Sequence, residues 1–279
     1  MKIIIVTGAS SGIGREFALS TAQKYSPDCM WLIARDEKGL RETASHIECN
    51  SEILPLDLAD NDSFETIKQK LEKEKPQIHF LVNAAGFGKF GSVESLEQSD
   101  AENIINVNIR ALTMLTKICI PYIIQGGNII NMSSASGFVS LPYFNIYSAS
   151  KAYVLNFSQA LSFELRHREI TVTAVCPYWV ATDFIATAQD SPNGFDVNNF
   201  LFITYPYKVV HRALNDCRFE KNLSLSGIIP VTIKLLSKIL PVSTQHSIWN
   251  KVRRITLPDN QLPPEQWQLR GSPDRYYRS

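Results

Sequence analysis

Tyr147-Ser148-Ala149-Ser150-Lys151 sets a phenol and an ammonium one helical turn apart, so that both project from the same face. A phenol with an ordinary pKa near ~10 is a poor base at neutral pH, and a fixed cation beside it lowers that value by favouring phenolate. Such a pair can exchange a proton with a substrate oxygen. The spacing alone is common on helices, so its meaning depends on what accompanies it.

A second chemical feature stands near the start of the chain. Thr7-Gly8-Ala9-Ser10-Ser11-Gly12-Ile13-Gly14 joins a strand over Ile3 to Thr7 to a helix over Gly12 to Tyr25. A diphosphate needs backbone N–H groups at close range and a helix N-terminus aimed at it, which requires a turn nearly free of side chains. Gly8 and Gly12 make that turn and Gly14 lets the helix lie on the sheet, while Ser10, Ser11 and Ile13 lend donors to phosphate. At the end of the second strand, Ile33-Ala34-Arg35-Asp36 offers no acid to a ribose 2'-hydroxyl, and Arg35 can pair bidentately with a 2'-phosphate. That favours NADP(H). Asp36 reads as the N-cap of the next helix.

Thr-Gly-x-x-x-Gly-x-Gly, the later Asn83-Ala84-Ala85-Gly86 and the Tyr147/Lys151 pair together resemble the short-chain dehydrogenase/reductase family over residues 1 to about 182. The resemblance implies a reductase or dehydrogenase that moves hydride between NADP(H) and a carbonyl or secondary alcohol. It places Asp57 and Leu58 against adenine, and Asn83, Ala84, Ala85 and Gly86 among the cofactor contacts. It gives Lys151 a second role on the nicotinamide ribose hydroxyls. Ser134, thirteen positions before Tyr147, matches the serine that holds and polarises the carbonyl. Strand alternation separates it from the neighbouring Ser133, and the family spacing selects Ser134. Asn108, within Asn106-Val107-Asn108, matches a fourth catalytic residue that supports a proton-relaying water.

One departure follows the sixth strand, where the family carries Pro-Gly and this chain reads Pro177-Tyr178-Trp179-Val180-Ala181-Thr182. Pro177, Val180 and Thr182 retain the expected cofactor contacts. Tyr178 and Trp179 narrow or reshape the pocket and, with Tyr143, Phe144, Phe184 and Phe195, suggest a bulky lipophilic ketone, hydroxysteroid-like or acyl-chain. Ordinary aromatic packing would produce the same residues.

The elements that must position these groups alternate along the chain. Further strands are expected at Cys29 to Ala34, Glu52 to Leu56, Ile78 to Asn83, Asn128 to Ser133, Thr171 to Cys176 and Leu223 to Ile228. Helices are expected at Asp36 to Glu48, Asp60 to Lys73, Ser99 to Ile124, Tyr147 to His167 and Tyr207 to Cys217. This is the pattern of βαβ units: a three-layer, doubly wound parallel sheet of about seven strands, a Rossmann fold, in one domain over residues 1–279. Residues 183–206 lapse from the alternation after the carboxyl end of a strand, where a substrate lid belongs. Residues 229–279 read as a helical extension and tail. Within it Val231, Leu235 and Ile239 share a helix face and Lys234 and Lys238 another, a pattern that serves either packing or a membrane surface. From Trp249 onward the chain carries six basic and three acidic residues, suiting a cover for the site or a loose end.

Composition limits the partners. A net charge of +1 lacks the basic excess that drives nucleic-acid binding, and 44% hydrophobic residues suffice for a large core. Five widely spaced cysteines, with neither metal-ligand nor paired-disulfide spacing, indicate an intracellular, cytoplasmic protein without a metal centre. No stretch is expected to span a membrane. A homodimer or homotetramer through the helices around Asn108 and Tyr147 is implied by the resemblance. Two other functions fit the same residues: an NADP(H)-binding regulatory or scaffold protein, and a peripheral membrane lipid protein.

Overall fold

The computed structural model describes residues 1–190, 200 and 202–253. Runs such as Ile3-Ile4-Ile5-Val6 are too short and too β-branched to favour helix, and they form strands buried on both faces. In chain order the elements are β1 (Lys2–Thr7), α1 (Gly12–Tyr25), β2 (Cys29–Ala34), α2 (Glu37–Ala44), β3 (Asn50–Pro55), α3 (Asn61–Glu74), β4 (Gln77–Asn83), α4 (Gln98–Ile105), α5 (Leu112–Cys119), β5 (Ile123–Met132), α6 (Asn145–Glu164), β6 (Thr171–Cys176), α7 (Phe184–Gln189), α8 (Pro206–Arg218), β7 (Leu223–Leu225), α9 (Ile228–Ile239) and α10 (Val242–Val252). A π-helical segment, Asn106–Ala111, joins α4 to α5.

The strands form one seven-stranded parallel sheet in the order β3-β2-β1-β4-β5-β6-β7. Strand order reverses between β1 and β4, and a crevice opens there at the carboxyl ends. Alternation splits each strand between two cores. Ile3, Ile5, Trp31 and Ile33 face one layer with Ile67, Leu115 and Leu161. Ile4, Val6, Met30 and Leu32 face the other with Phe17, Val209 and Leu214. Cys29, Cys119 and Cys217 are buried in these layers, and Cys176 in a smaller cluster with Leu155 and Ala174.

Several boundaries differ from the sequence expectation. β5 begins at Ile123 because the strand runs on through Gly126-Gly127, residues that usually interrupt one. β3 ends at Pro55 on the sheet edge, where a missing N–H costs no ladder bond. β7 stops at Leu225, since Gly227 takes φ +98° and turns the chain into α9, so Ile228 opens a helix instead of closing a strand. The single helix expected from Ser99 to Ile124 is divided by the π segment, and its end becomes β5.

The helical stretch Gln98–Tyr122 is 25 residues long, and by length and composition alone its most apolar part, of mean hydropathy 1.2, could cross a membrane. Here Leu112, Leu115, Thr116 and Cys119 are buried in the domain. The expected lid contains α7 and the start of α8, while Phe195 and the tail beyond Arg253 lie outside the described residues.

Candidate active site

The crevice is a cavity of about 990 Å³ lined by the loop after β1, the ends of β2, β4, β5 and β6, the start of α6, and α9 and α10. Its floor depends on two glycines. Gly8 has φ +67°, and a Cβ on it would lie 3.0 Å from the Ala85 backbone. A Cβ on Gly14 would lie 2.2 Å from the Gly8 carbonyl oxygen, so α1 approaches the turn as closely as it does only without a side chain there. Thr7 ties the two strand ends together: its hydroxyl accepts from the N–H groups of Ala84 and Ala85, each at 3.0 Å. In the sequence Thr7 ends a strand and opens the glycine motif, and neither position announces this bond.

Ser11, the N-cap of α1, makes no side-chain cap bond, and Ser10, Ser11, Gly12, Ile13 and Gly14 all line the cavity. Backbone N–H groups of an uncapped first turn beside a Cβ-free cradle suit a diphosphate. Farther along, Arg35 is 73% exposed at its side chain, with Nη1 3.8 Å from Asp57 Oδ2. Both line the cavity, as does Leu58, and Asp36 caps α2 by accepting from Gly39 N–H at 3.1 Å. The residues present therefore fit a dinucleotide lying from Arg35 toward Tyr147.

At the other end, α6 carries Tyr147 and Lys151, 7% and 4% exposed. Lys151 Nζ lies 5.5 Å from the centre of the Tyr147 ring and donates to Met132 O at 2.8 Å. Ser134 hydrogen-bonds the Tyr147 phenol, whereas Ser133 turns away and donates to Lys151 O at 2.7 Å. Burial pushes the Tyr147 phenol well above its usual range, and the bond to Ser134 draws it back only in part. Burial likewise lowers the Lys151 ammonium to about 8. The lowering of Tyr147 expected from Lys151 is overridden by burial of the phenol itself.

Asn108 sits in the π segment, 1% exposed and off the cavity wall. It donates to Phe87 O at 2.9 Å and to Ser150 Oγ at 3.0 Å, and accepts from Phe87 N–H at 3.0 Å. A Cβ on Gly86 would come 2.9 Å from Asn108 Oδ1 and 3.1 Å from Lys151 Nζ, so the three groups converge behind the cavity.

The remaining candidates divide. Ala84, Ala85, Gly86, Pro177, Val180, Thr182, Phe144, Tyr178 and Phe184 line the cavity. Asn83 does not; its amide donates to Thr116 Oγ1 at 3.0 Å and Asn131 Oδ1 at 2.9 Å, locking β4 to β5 and α5. Tyr143 is also off the wall, with φ +64° and its ring under Arg253 at 4.2 Å. Lys89, Trp179 and a roof of Ile229, Ile233, Leu236, Leu240 and Trp249 also line the cavity. Trp249 Nε1 donates to Pro142 O at 2.8 Å, which pins the roof beside Phe144. Ile229, Ile233 and Leu236 recur at helical spacing and carry the roof signal, but Val231, Leu235 and Ile239 give an equally good stripe on another face.

The short chain dehydrogenase pattern matches residues 2–193. The chain is 28% identical over 248 residues to estradiol 17-beta-dehydrogenase 11 of Macaca fascicularis, covering 86% of this chain and 79% of that one. It is 32% identical over 188 residues to the very-long-chain 3-oxoacyl-CoA reductase of Rattus norvegicus, covering 64% of this chain and 59% of the rat protein, so it spans about three fifths of that relative. A short-chain dehydrogenase from Sphingobium yanoikuyae in complex with NADPH superposes with TM-score 0.74 at 27% identity, over 94% of this chain and all (100%) of that one. The match spans the glycine loop and the Tyr147/Lys151 helix alike, and the chain belongs to the short-chain dehydrogenase/reductase family, as an NAD(P)-dependent oxidoreductase.

Proposed function

We propose that the protein interconverts a bulky lipophilic ketone and its secondary alcohol with NADP(H). The observation that carries this is the shape of one cavity: polar and glycine-lined from Ser10 to Arg35, apolar and aromatic beyond Ser134, with Tyr147 where the two halves meet. Phe144, Trp179 and Phe184 cluster around Tyr147 on the wall, with Phe144 stacked on the Tyr147 ring at 4.5 Å and Phe90 packed behind it. Such walls gain from burying apolar area. Relatives named for estradiol and for very-long-chain 3-oxoacyl-CoA point to the same class of substrate.

Held by Lys151, Val180 and Thr182, a bound nicotinamide would supply the hydride chemistry at the carbonyl carbon, in either direction. The remaining work falls to this chain. Ser134 donates a hydrogen bond to the carbonyl oxygen and Tyr147 donates the proton, which it takes back in oxidation. Lys151, fixed by Met132 O, stabilises the phenolate left behind and holds the ribose hydroxyls. Asn108 positions Gly86 and α6 through Phe87 and Ser150. Arg35, on the cavity wall beside Asp57, would hold the 2'-phosphate. Self-association through α5 and α6 belongs to this proposal, since Met114 and Tyr153 are 37% and 39% exposed there.

Tyr147→Phe tests it. Ketone-dependent NADPH consumption over a panel of sterols, acyl ketones and sugars should fall roughly 1,000-fold with NADPH binding retained. Turnover surviving in the variant would remove Tyr147 as the proton donor, and a wild type inert to the whole panel would leave the regulatory NADP(H)-binding function in its place.

A further inference from the structure

α9 is apolar on two faces, and among the described residues only one of them has a partner. At ~100° per residue, Ile229, Ile233 and Leu236 occupy the arc that roofs the cavity. Ile228, Val231, Leu235 and Ile239 fall within roughly 80° of one another on a different arc. That second arc points outward: Ile228 is 79% exposed, Leu235 56% and Ile239 75%. Val242, 56% exposed, extends it into α10. A helix apolar on both faces is ordinarily buried on both, and four large aliphatic side chains on one outward strip exceed the scattered exposure usual on a water-soluble surface.

Charge identifies the occupant. From Lys221 to Arg253 the chain has Lys221, Lys234, Lys238, Lys251 and Arg253 and not one Asp or Glu. Lys234 and Lys238 flank the aliphatic strip on the side of Val231. An aliphatic ridge edged by lysines, with no acid to repel phosphate, has the chemistry of a helix lying in the plane of an anionic lipid surface. The α9–α10 pair is braced to hold that plane, because Ser140 Oγ meets His246 Nε2 at 2.8 Å and Trp249 binds Pro142 O. The geometry points to α9 as a membrane-interfacial helix that seats the protein on anionic bilayers through Ile228, Leu235 and Ile239, with the cavity opening directly behind it.

This inference goes beyond the proposed reaction and is tested without turnover. Wild-type protein is floated with vesicles of phosphatidylcholine alone and with about 30 mol% phosphatidylglycerol, beside L235E/I239E and K234E/K238E. Adding the anionic lipid should raise wild-type partitioning about 25-fold, at roughly fivefold for each flanking lysine. K234E/K238E should lose that gain, and L235E/I239E should bind at least ~100-fold less to both vesicles. All four changes lie outside the cavity wall, so the thermal midpoint and its rise on adding NADPH should match wild type. A wild type that stays unbound overturns the assignment. In that event, self-association split by L235E/I239E gives the ridge to a second copy, and a monomer gives it to the chain's own remaining residues. Binding that survives L235E/I239E overturns it equally.

Discussion

Replacing Lys151 with methionine should stabilise the protein while removing its activity. Lys151 is 4% exposed, has Met132 O as its hydrogen-bond acceptor, and is lowered by burial to about 8. From the ordinary 10.5, that drop corresponds to about 3 kcal/mol of folding free energy spent on burying the cation, at roughly 1.4 kcal/mol per tenfold change in proton affinity. Methionine keeps the apolar stem, but it leaves the Met132 carbonyl unpaired and returns about 1 kcal/mol. The net gain is about 2 kcal/mol, or roughly 4 °C in a chain of this size. The pH dependence gives a second check. Between pH 8 and 10.5 the unfolded lysine holds a proton that the folded one has lost, so wild-type stability rises with pH across that window. The advantage of K151M should therefore be full below pH 8 and shrink toward pH 10.5. Thermal denaturation of cofactor-free protein at about pH 7 and about pH 10 reads both effects. A variant less stable than wild type at pH 7, or an advantage constant with pH, would refute the view that Lys151 is an unpaid buried charge kept for chemistry.

Three further outcomes follow from the geometry. Arg35→Ala should weaken NADPH roughly 30-fold while changing NADH by less than about twofold, measured by fluorescence titration; equal losses for both would remove Arg35 as the selector. Gly14→Ala gains about 1 kcal/mol in helix propensity yet places a Cβ 2.2 Å from a backbone oxygen, so the clash wins. The urea midpoint should fall by the equivalent of at least ~2 kcal/mol, and NADPH should no longer raise it. Asp216, buried at the end of α8, accepts from Arg212 Nε at 2.6 Å, Lys221 Nζ at 2.9 Å and Ser224 Oγ at 2.9 Å. Burial raises its carboxyl, but these bonds outweigh that and hold it below 3.8. Its stabilisation is present above pH 3.8 and lost as the pH falls through the lowered value. Asp216→Ala should cost about 3 kcal/mol at neutral pH and flatten that part of the acid transition.

The sheet was legible in the sequence wherever a strand is buried on both faces and ends in a turn residue. β2 and β6 fall on the expected residues because their apolar runs stop at Arg35 and Pro177. β5 was cut short because Gly126-Gly127 imitates a turn, and only pairing of Ile123 with Ile78 draws the segment into the sheet. The site divides in the same way. Gly8, Gly14, Ser134 and Lys151 carry local signals of turn, helix or spacing and reach the cavity. Asn83 and Tyr143 do not, because their orientation is set by Thr116, Asn131 and Arg253, far away in the chain. The roof was hidden for another reason: α9 has two apolar stripes, and periodicity cannot say which one faces inward.

The π segment at Asn106–Ala111 has a consequence for any change of length there. One extra residue per turn offsets the register, so α5 is phased as though its numbering had slipped by one relative to α4. Deleting a single residue between Asn106 and Ala111 would let the stretch close as ordinary α-helix with α4 and α5 kept in phase, whereas closing it at its present length would rotate α4 and Asn108 by roughly 100° against a sheet-packed α5. Asn108 would then lose Phe87 and Ser150 together, uncoupling the loop at Gly86 from α6. In this protein an apparent irregularity of the backbone is a phase adjustment, and regularising the helix at its present length would be the damaging change.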